Sequence, residues 1–127
     1  MKITIYQLVS TLGLEDSLST QKLPVKTAYN LSKIFSRAFE ELKFYQEKLQ
    51  EILNQYGEKD SKGNIIFLDN GSASIQKDKI EECQKEILDL QNLEIEIPDY
   101  SISLDSLDNI KISLNEISLL NPFICEN

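Results

Sequence analysis

Between Ala28 and Tyr56 the apolar positions Leu31, Phe35, Ala38, Leu42, Tyr45, Leu49, Ile52 and Tyr56 are separated by 4, 3, 4, 3, 4, 3 and 4 residues. At 3.6 residues per turn this spacing holds one stripe on one side of a helix for about eight turns. No Gly or Pro interrupts it between Pro24 and Gly57. The pattern predicts a helix from about Pro24 to Tyr56. Pro24 opens it, because a missing N–H costs nothing in the first turn, and Gly57 closes it. A helix of this length is not stable alone in proportion to its length. Its stripe must be buried against another helix, a sheet or a second copy of the chain.

The rest of the chain reads as what this helix packs on. Residues 2–9 open as a short strand or extended arm, with Ile3 and Ile5 on one face. The alternative is a short helix from Tyr6 to Leu14 that ends near Gly13. Glu15 to Gln21 is polar and Ser-rich, a loop or a short helix. After Gly57 comes a polar turn over 58–64, then the β-rich run Ile65–Leu68, the turn Asp69-Asn70-Gly71-Ser72 and a return over Ala73–Ile75. This predicts a β-hairpin at the tip of the long helix, with a mobile loop as the alternative. Asp78 is placed to cap a second helix, about Lys79 to Leu93, with Ile80, Cys83, Ile87, Leu90 and Leu93 or Ile95 as its stripe. Two stripes joined through a compact turn favour an antiparallel helical hairpin. The period then changes. Leu93–Ile97 alternates apolar and acidic residues, Ser101–Leu104 alternates too, and Ile110–Ile112 is a third short run. Ser113 and Glu116 match a capping box that starts a last helix through Leu120, closed by Asn121-Pro122, with Phe123 and Ile124 docked on the core. No internal repeat is evident. The expected fold is α+β in one domain over 1–127: a long antiparallel helical hairpin, a β-hairpin at its tip and a small β-rich C-terminal cap.

Composition narrows the function. Hydrophobic content of 41% and charged content of 27% are those of a water-soluble globular chain. No apolar run approaches the ~20 residues that a membrane span needs, and the N-terminus lacks signal-peptide character, so the expected location is cytoplasmic. Cys83 and Cys125 have no metal-like spacing and are expected to be free thiols. The net charge of −8 argues against DNA, RNA and anionic membrane as partners. Zero His removes the commonest general base and metal ligand, and the single Arg leaves little for a phosphoryl clamp. No catalytic motif is visible, so an enzyme is not expected, and neither is a cofactor. Asp99, Asp105, Asp108, Glu94 and Glu96 lack calcium-loop spacing and read as solvated edge charge; no metal is assigned.

Charge distribution is the most informative feature. From Ser17 to Phe39 there is no Asp or Glu, while the same window holds Lys22, Lys26, Lys33 and Arg37. Lys26, Asn30, Lys33 and Arg37, spaced 4, 3 and 4, form a second stripe, expected on the helix face away from the apolar one and bordered by Tyr29 and Ser36. Lysines, an arginine, an aromatic ring and an amide on one ridge suit a nucleotide-like anion. Lys22, Lys26, Lys33 and Arg37 would meet phosphate, Tyr29 would stack on a base and Asn30 would read it. The competing reading is a solvated basic face, or one that meets the acidic second helix at Glu81, Glu82, Glu86 and Asp89 of this or another copy.

Several short motifs carry a resemblance: Leu23-Pro24-Val25-Lys26-Thr27-Ala28 at the start of the long helix, Gly57-Glu58-Lys59-Asp60 and Gly63-Asn64 after it, Gln91-Asn92-Leu93-Glu94-Ile95-Glu96-Ile97, and Leu119-Leu120-Asn121-Pro122-Phe123-Ile124. In these the chain resembles a widespread group of small proteins from tailed phages and prophages of low-GC Gram-positive bacteria. The resemblance implies a phage-encoded accessory protein. One class of such proteins acts as a nucleotide sponge, an oligomer that sequesters the cyclic oligonucleotide or ADP-ribose-derived signal of bacterial defence such as CBASS or Thoeris. The leading expectation is therefore a non-catalytic, homo-oligomeric protein that binds a small nucleotide on the basic ridge. The alternative is a phage structural or assembly adaptor, or a direct protein inhibitor, acting through helical protein–protein contacts.

Overall fold

The computed structural model describes residues 1–125 and mixes helix with short strands. Its elements are β1 (Lys2–Thr4), α1 (Ile5–Ser10), α2 (Glu15–Ser19), α3 (Val25–Tyr56), α4 (Ile80–Gln91), β2 (Glu94–Glu96), β3 (Ile102–Ser103), α5 (Leu114–Leu120) and β4 (Ile124–Cys125), with 3-10 turns between several of them. β1 pairs antiparallel with β2, Ile3 opposite Ile95, and β3 pairs parallel with β4, Ile102 opposite Ile124. No helix is long and apolar enough to cross a membrane among the described residues.

At the N-terminus the strand is only three residues long, and the helical alternative takes over. Thr4 explains the switch. Its hydroxyl oxygen accepts from the Gln7 N–H at 3.1 Å, and the Gln7 side-chain oxygen accepts from the Thr4 N–H at 3.1 Å. This reciprocal cap satisfies two donors at the helix start.

The long helix spans 32 residues, about 48 Å at 1.5 Å per residue. Its first half buries Thr27, Leu31, Ile34 and Ala38 against α1, β3 and the 3-10 turn at Thr11–Leu14. That buried line is rotated from the expected stripe, since Ile34 is fully covered and Phe35 only half-buried. In the second half α4 provides most of the cover, with the Tyr6 ring of α1 6.5 Å from that of Tyr45; Leu42, Tyr45, Leu49 and Ile52 are half-buried, and Tyr56 is buried at the end. α4 runs back along α3. Gln91 donates to the Tyr45 hydroxyl at 3.3 Å, while the Gln76 N–H, just before α4, donates to the Tyr56 carbonyl at 2.9 Å. α4 starts later than expected. A 3-10 turn over Lys77–Lys79 precedes it, and Lys79, not Asp78, occupies the cap position, without a side-chain bond.

The segment between α3 and α4 holds an arrangement that the sequence reading missed. The Glu58 N–H donates to the Ser74 carbonyl, the Ser74 N–H to the Ile66 carbonyl and the Ile66 N–H to the Glu58 carbonyl, each at 2.8 Å. These residues are eight apart, and their bonds close a triangle of three short segments. The turns repeat with the same period. Asp60 bonds to Asn64 at 2.8 Å and Leu68 to Ser72 at 2.7 Å, and Gly63 and Gly71 take φ of 80° and 86°. The expected hairpin over 65–75 is present as two sides of this triangle, and 57–60 supplies the third.

The C-terminal part is less β-rich than expected. β3 and β4 have two residues each, because Leu104–Leu107 winds into a 3-10 turn, and Ile110–Ile112 forms no strand. Ile110 and Ile112 instead pack against the core with Phe123, Leu120 and Leu107. The capping box at Ser113 forms as expected, with the Glu116 N–H donating to the Ser113 hydroxyl at 3.2 Å.

Gly57 joins the long helix to the triangle. Its N–H donates to the Leu53 carbonyl at 2.7 Å, and a Cβ there would lie 2.6 Å from that oxygen and 3.3 Å from Ile65 Cγ2. Gly57→Ala is expected to lower unfolding free energy by about 1–3 kcal/mol. Gly13→Ala, whose Cβ would meet only Leu119 Cδ1 at 4.0 Å, serves as the control. Urea titration of both variants checks this; equal midpoints would show that the close approach at Gly57 does not hold the junction.

Candidate functional site

The first four turns of α3 present two flanks beside the buried line. One carries the basic ridge. Lys26 is exposed in the first turn, and Tyr29 is 59% exposed. The Lys33 ammonium lies 5.3 Å from the Tyr29 ring centroid, a cation–π distance. Asn30 is half-buried and donates its amide to the Ser101 carbonyl at 2.7 Å. Arg37 is half-buried, and Glu41 one turn on accepts from its Nη2 at 2.9 Å and from its Nε at 3.2 Å. Lys22 sits apart, exposed in the turn before α3. Thus five of the six expected residues share a flank, well round the helix from the buried line, and Asn30 ties its edge to Ser101 just before β3. Within it Arg37 is neutralised by its own helix. Lys22, Lys26 and Lys33 have no carboxylate partner among the described residues.

The other flank lines a groove of about 720 Å³ between α2, the turn that follows it, and α3. Leu18, Leu23 and Leu31 form its floor, and Ala28, Phe35 and Phe39 its α3 wall. Phe39 is 68% exposed there. Ser32 and Ser36 keep the wall low, and Glu15 and Glu40 supply its charge. No lysine or arginine lines it, so none of the expected ligand residues does. At 100° per residue Ala28, Phe35 and Phe39 lie well round the helix from Lys26, Asn30 and Arg37, while Ser36 and Glu40 fall beside Tyr29 and Lys33, so groove and ridge share an edge there. The groove escaped the sequence reading because it depends on α2, a five-residue helix with one buried side chain, Leu18. The signal available was Phe39, an aromatic one turn beyond Phe35 and outside the apolar stripe.

Tyr56 and Cys83 meet at the far end of α3. Burial pushes the Tyr56 hydroxyl up from its ordinary pKa, and the Glu86 carboxylate beside it adds to the shift. Burial also pushes the Cys83 thiol up, with Glu86 second. A buried thiol held protonated is a packing group, not a nucleophile. Among the described residues no group of three His, Cys, Asp or Glu side chains is placed to hold a metal ion.

α2 is held from outside the groove. The Ser17 hydroxyl donates to the Glu116 carboxylate on α5, across 99 residues of chain. Comparison of the chain with protein-family models, with curated proteins and with solved structures gives no match.

The Ser17 hydroxyl, followed by the Ser113 N–H and hydroxyl, holds the Glu116 carboxyl below the ordinary glutamate range. A depressed folded pKa gives stability that is complete above the unfolded value, about 4.3, and is lost as pH falls through the folded value. Ser17→Ala is expected to lower stability at neutral pH and to flatten the acid-side slope below about pH 4.3. Urea midpoints from neutral to acid pH measure both. Parallel curves for the two proteins would mean that this contact does not anchor α2.

Proposed function

We propose that this chain is a non-catalytic binding protein, an assembly adaptor whose α2–α3 groove receives an apolar, lysine-bearing element of a protein partner. The observation that carries the reading is the groove's chemistry: Leu and Phe side chains with Glu15 and Glu40 as its charges among the described residues. Desolvated aromatic anchors inside a polar rim are how protein interfaces gain affinity. The carboxylates disfavour an anionic occupant and favour a cationic one. The resemblance to small phage proteins fits an adaptor or a protein inhibitor in the cytoplasm of an infected cell.

A second reading has its own support. Lys22, Lys26 and Lys33 have no acid partner among the described residues, and Tyr29 is exposed beside Lys33, so the ridge suits capture of a nucleotide immune signal. Lys33 must leave the Tyr29 ring for a base to stack there. Asn30 has one amide bond already made. A nucleotide site would also need a wall that the convex ridge lacks, supplied by a second copy.

A fluorescein-labelled helical peptide of about 18 residues with a Leu/Phe face flanked by lysine probes the groove by anisotropy. It is expected to bind at least about tenfold more tightly than its glutamate counterpart. Glu15→Lys with Glu40→Lys should invert that preference, and Phe39→Ser should weaken both. Equal affinity for the two peptides would remove the groove reading. Thermal melting with cyclic dinucleotides, cyclic trinucleotides and cyclic ADP-ribose isomers tests the ridge, because a ligand that binds only the native state raises the melting temperature. A rise lost in Lys33→Glu/Arg37→Glu would favour capture of a nucleotide; a flat panel would remove it.

A further inference from the structure

The triangle at the far end of α3 carries an apolar knob that its own fold does not require. Phe67 is 62% exposed, Leu68 51% and Ile66 40%. The eight-residue period allows a comparison within the molecule. The positions equivalent to Ile66-Phe67-Leu68 hold Glu58-Lys59-Asp60 in the first segment and Ser74-Ile75-Gln76 in the third. The same backbone triangle therefore accepts Glu, Ser, Lys, Asp and Gln at these places, and its one apolar equivalent, Ile75, is half-buried. Three adjacent apolar side chains on the middle segment are not explained by packing. An exposed apolar cluster of this kind marks an interaction surface.

Its charge environment differs from that of the rest of the molecule. Residues 57–79 hold four lysines and four carboxylates, so the net charge of −8 lies wholly elsewhere. Two of those carboxylates are occupied. Asp60 accepts from the N–H groups of Lys62 at 2.8 Å and Asn64 at 3.0 Å, and Glu58 accepts from the Ser74 hydroxyl at 3.1 Å. Lys59 and Lys62 are exposed and have no carboxylate partner among the described residues. The knob thus offers Phe, Leu and Ile beside unpaired lysines. The groove offers Leu and Phe beside Glu15 and Glu40.

We infer that the tip of one copy docks into the α2–α3 groove of a second copy, Phe67 and Leu68 against Phe35 and Phe39, with Lys59 and Lys62 toward Glu15 and Glu40. This rests on the groove reading above and names the groove's occupant. A tip cannot reach its own groove. Sixteen helical residues, about 24 Å, separate Glu40 from Tyr56, and no Gly or Pro in α3 lets the helix fold back. Knob and groove are different surfaces, so the contact either pairs two copies reciprocally about a two-fold axis or runs head to tail into a chain or a closed ring.

Sedimentation equilibrium of the full chain tests this with two variants, Phe67→Glu at the tip and Phe39→Glu in the groove. Leu68→Glu and Ser36→Arg replace either one if its circular dichroism is not native. The wild-type weight-average mass should exceed the protomer mass and rise with concentration. Each variant alone should remain at the protomer mass. Mixed in equal amounts they should reach twice that mass and stop, because one intact tip meets one intact groove. A mixture that stays at the protomer mass would overturn the inference, as would variants that associate like wild type. A monomeric wild type that still binds the lysine peptide would overturn the inference alone and leave the groove reading standing. Loss of both would overturn both.

Discussion

The one-sided burial of α3 is the constraint on which the other elements depend. A helix of 32 residues has more apolar length than one neighbour can cover. The N-terminal half is covered by several short elements that could not stand alone: α1 of six residues, a four-residue 3-10 turn and the two-residue strand β3. The C-terminal half has chiefly α4, of twelve residues, and its stripe from Leu42 to Ile52 remains half-exposed. Cover is therefore thick at one end and thin at the other. The thick end holds Ile34, Ala38, Leu8, Leu14 and Leu120 with no exposure at all. The thin end behaves as a stalk, and whatever sits at its tip must be held together by its own bonds.

The triangle answers that requirement. A two-stranded hairpin is marginal in water and leaves strand edges with unpaired backbone groups. Closing three segments on one another, each donating to the next, removes the open edge at the level of Glu58, Ile66 and Ser74. The closure uses few side chains. It relies on Gly63 and Gly71 at positive φ and on Asp60 and Asn70, whose side-chain oxygens accept backbone N–H groups at their turns. That economy leaves most side chains of the middle segment free to face outward.

Periodicity made much of this fold legible. The limits of α3 fell within a residue of Pro24 and Gly57, and the capping box at Ser113 and the alternation through Glu94–Glu96 were read in place. What escaped was set by contacts distant in sequence. The buried line of α3 turned toward Ile34 because α1 and β3 approach from that side. Ile110 and Ile112 look like a strand but lack one, since their side chains pack into the core without a paired backbone. The eight-residue repeat was hidden because its signature lies in turn glycines and backbone pairing, while the three segments share almost no side chains. Thr4 and Gln7, by contrast, spelled a helix start that alternation at Ile3 and Ile5 obscured.

The acid-free stretch from Ser17 to Phe39 has two physical components that the sequence presents as one. Presence of base belongs to one flank of α3, at Lys26, Lys33 and Arg37. Absence of acid belongs as much to the other flank, where Leu18, Leu23, Leu31, Phe35 and Phe39 line the groove. Acidic groups return at the borders of the stretch, Glu15 on one side and Glu40 on the other, and both reach the groove. A carboxylate inside an apolar groove would cost several kcal/mol of desolvation unless paired, whereas at the rim it keeps its water and still selects the charge of what enters. The interruption in the chain's acidity thus outlines a surface that excludes charge from its floor and keeps negative charge at its edge. An occupant matched to it must be apolar at its centre and basic at its margin.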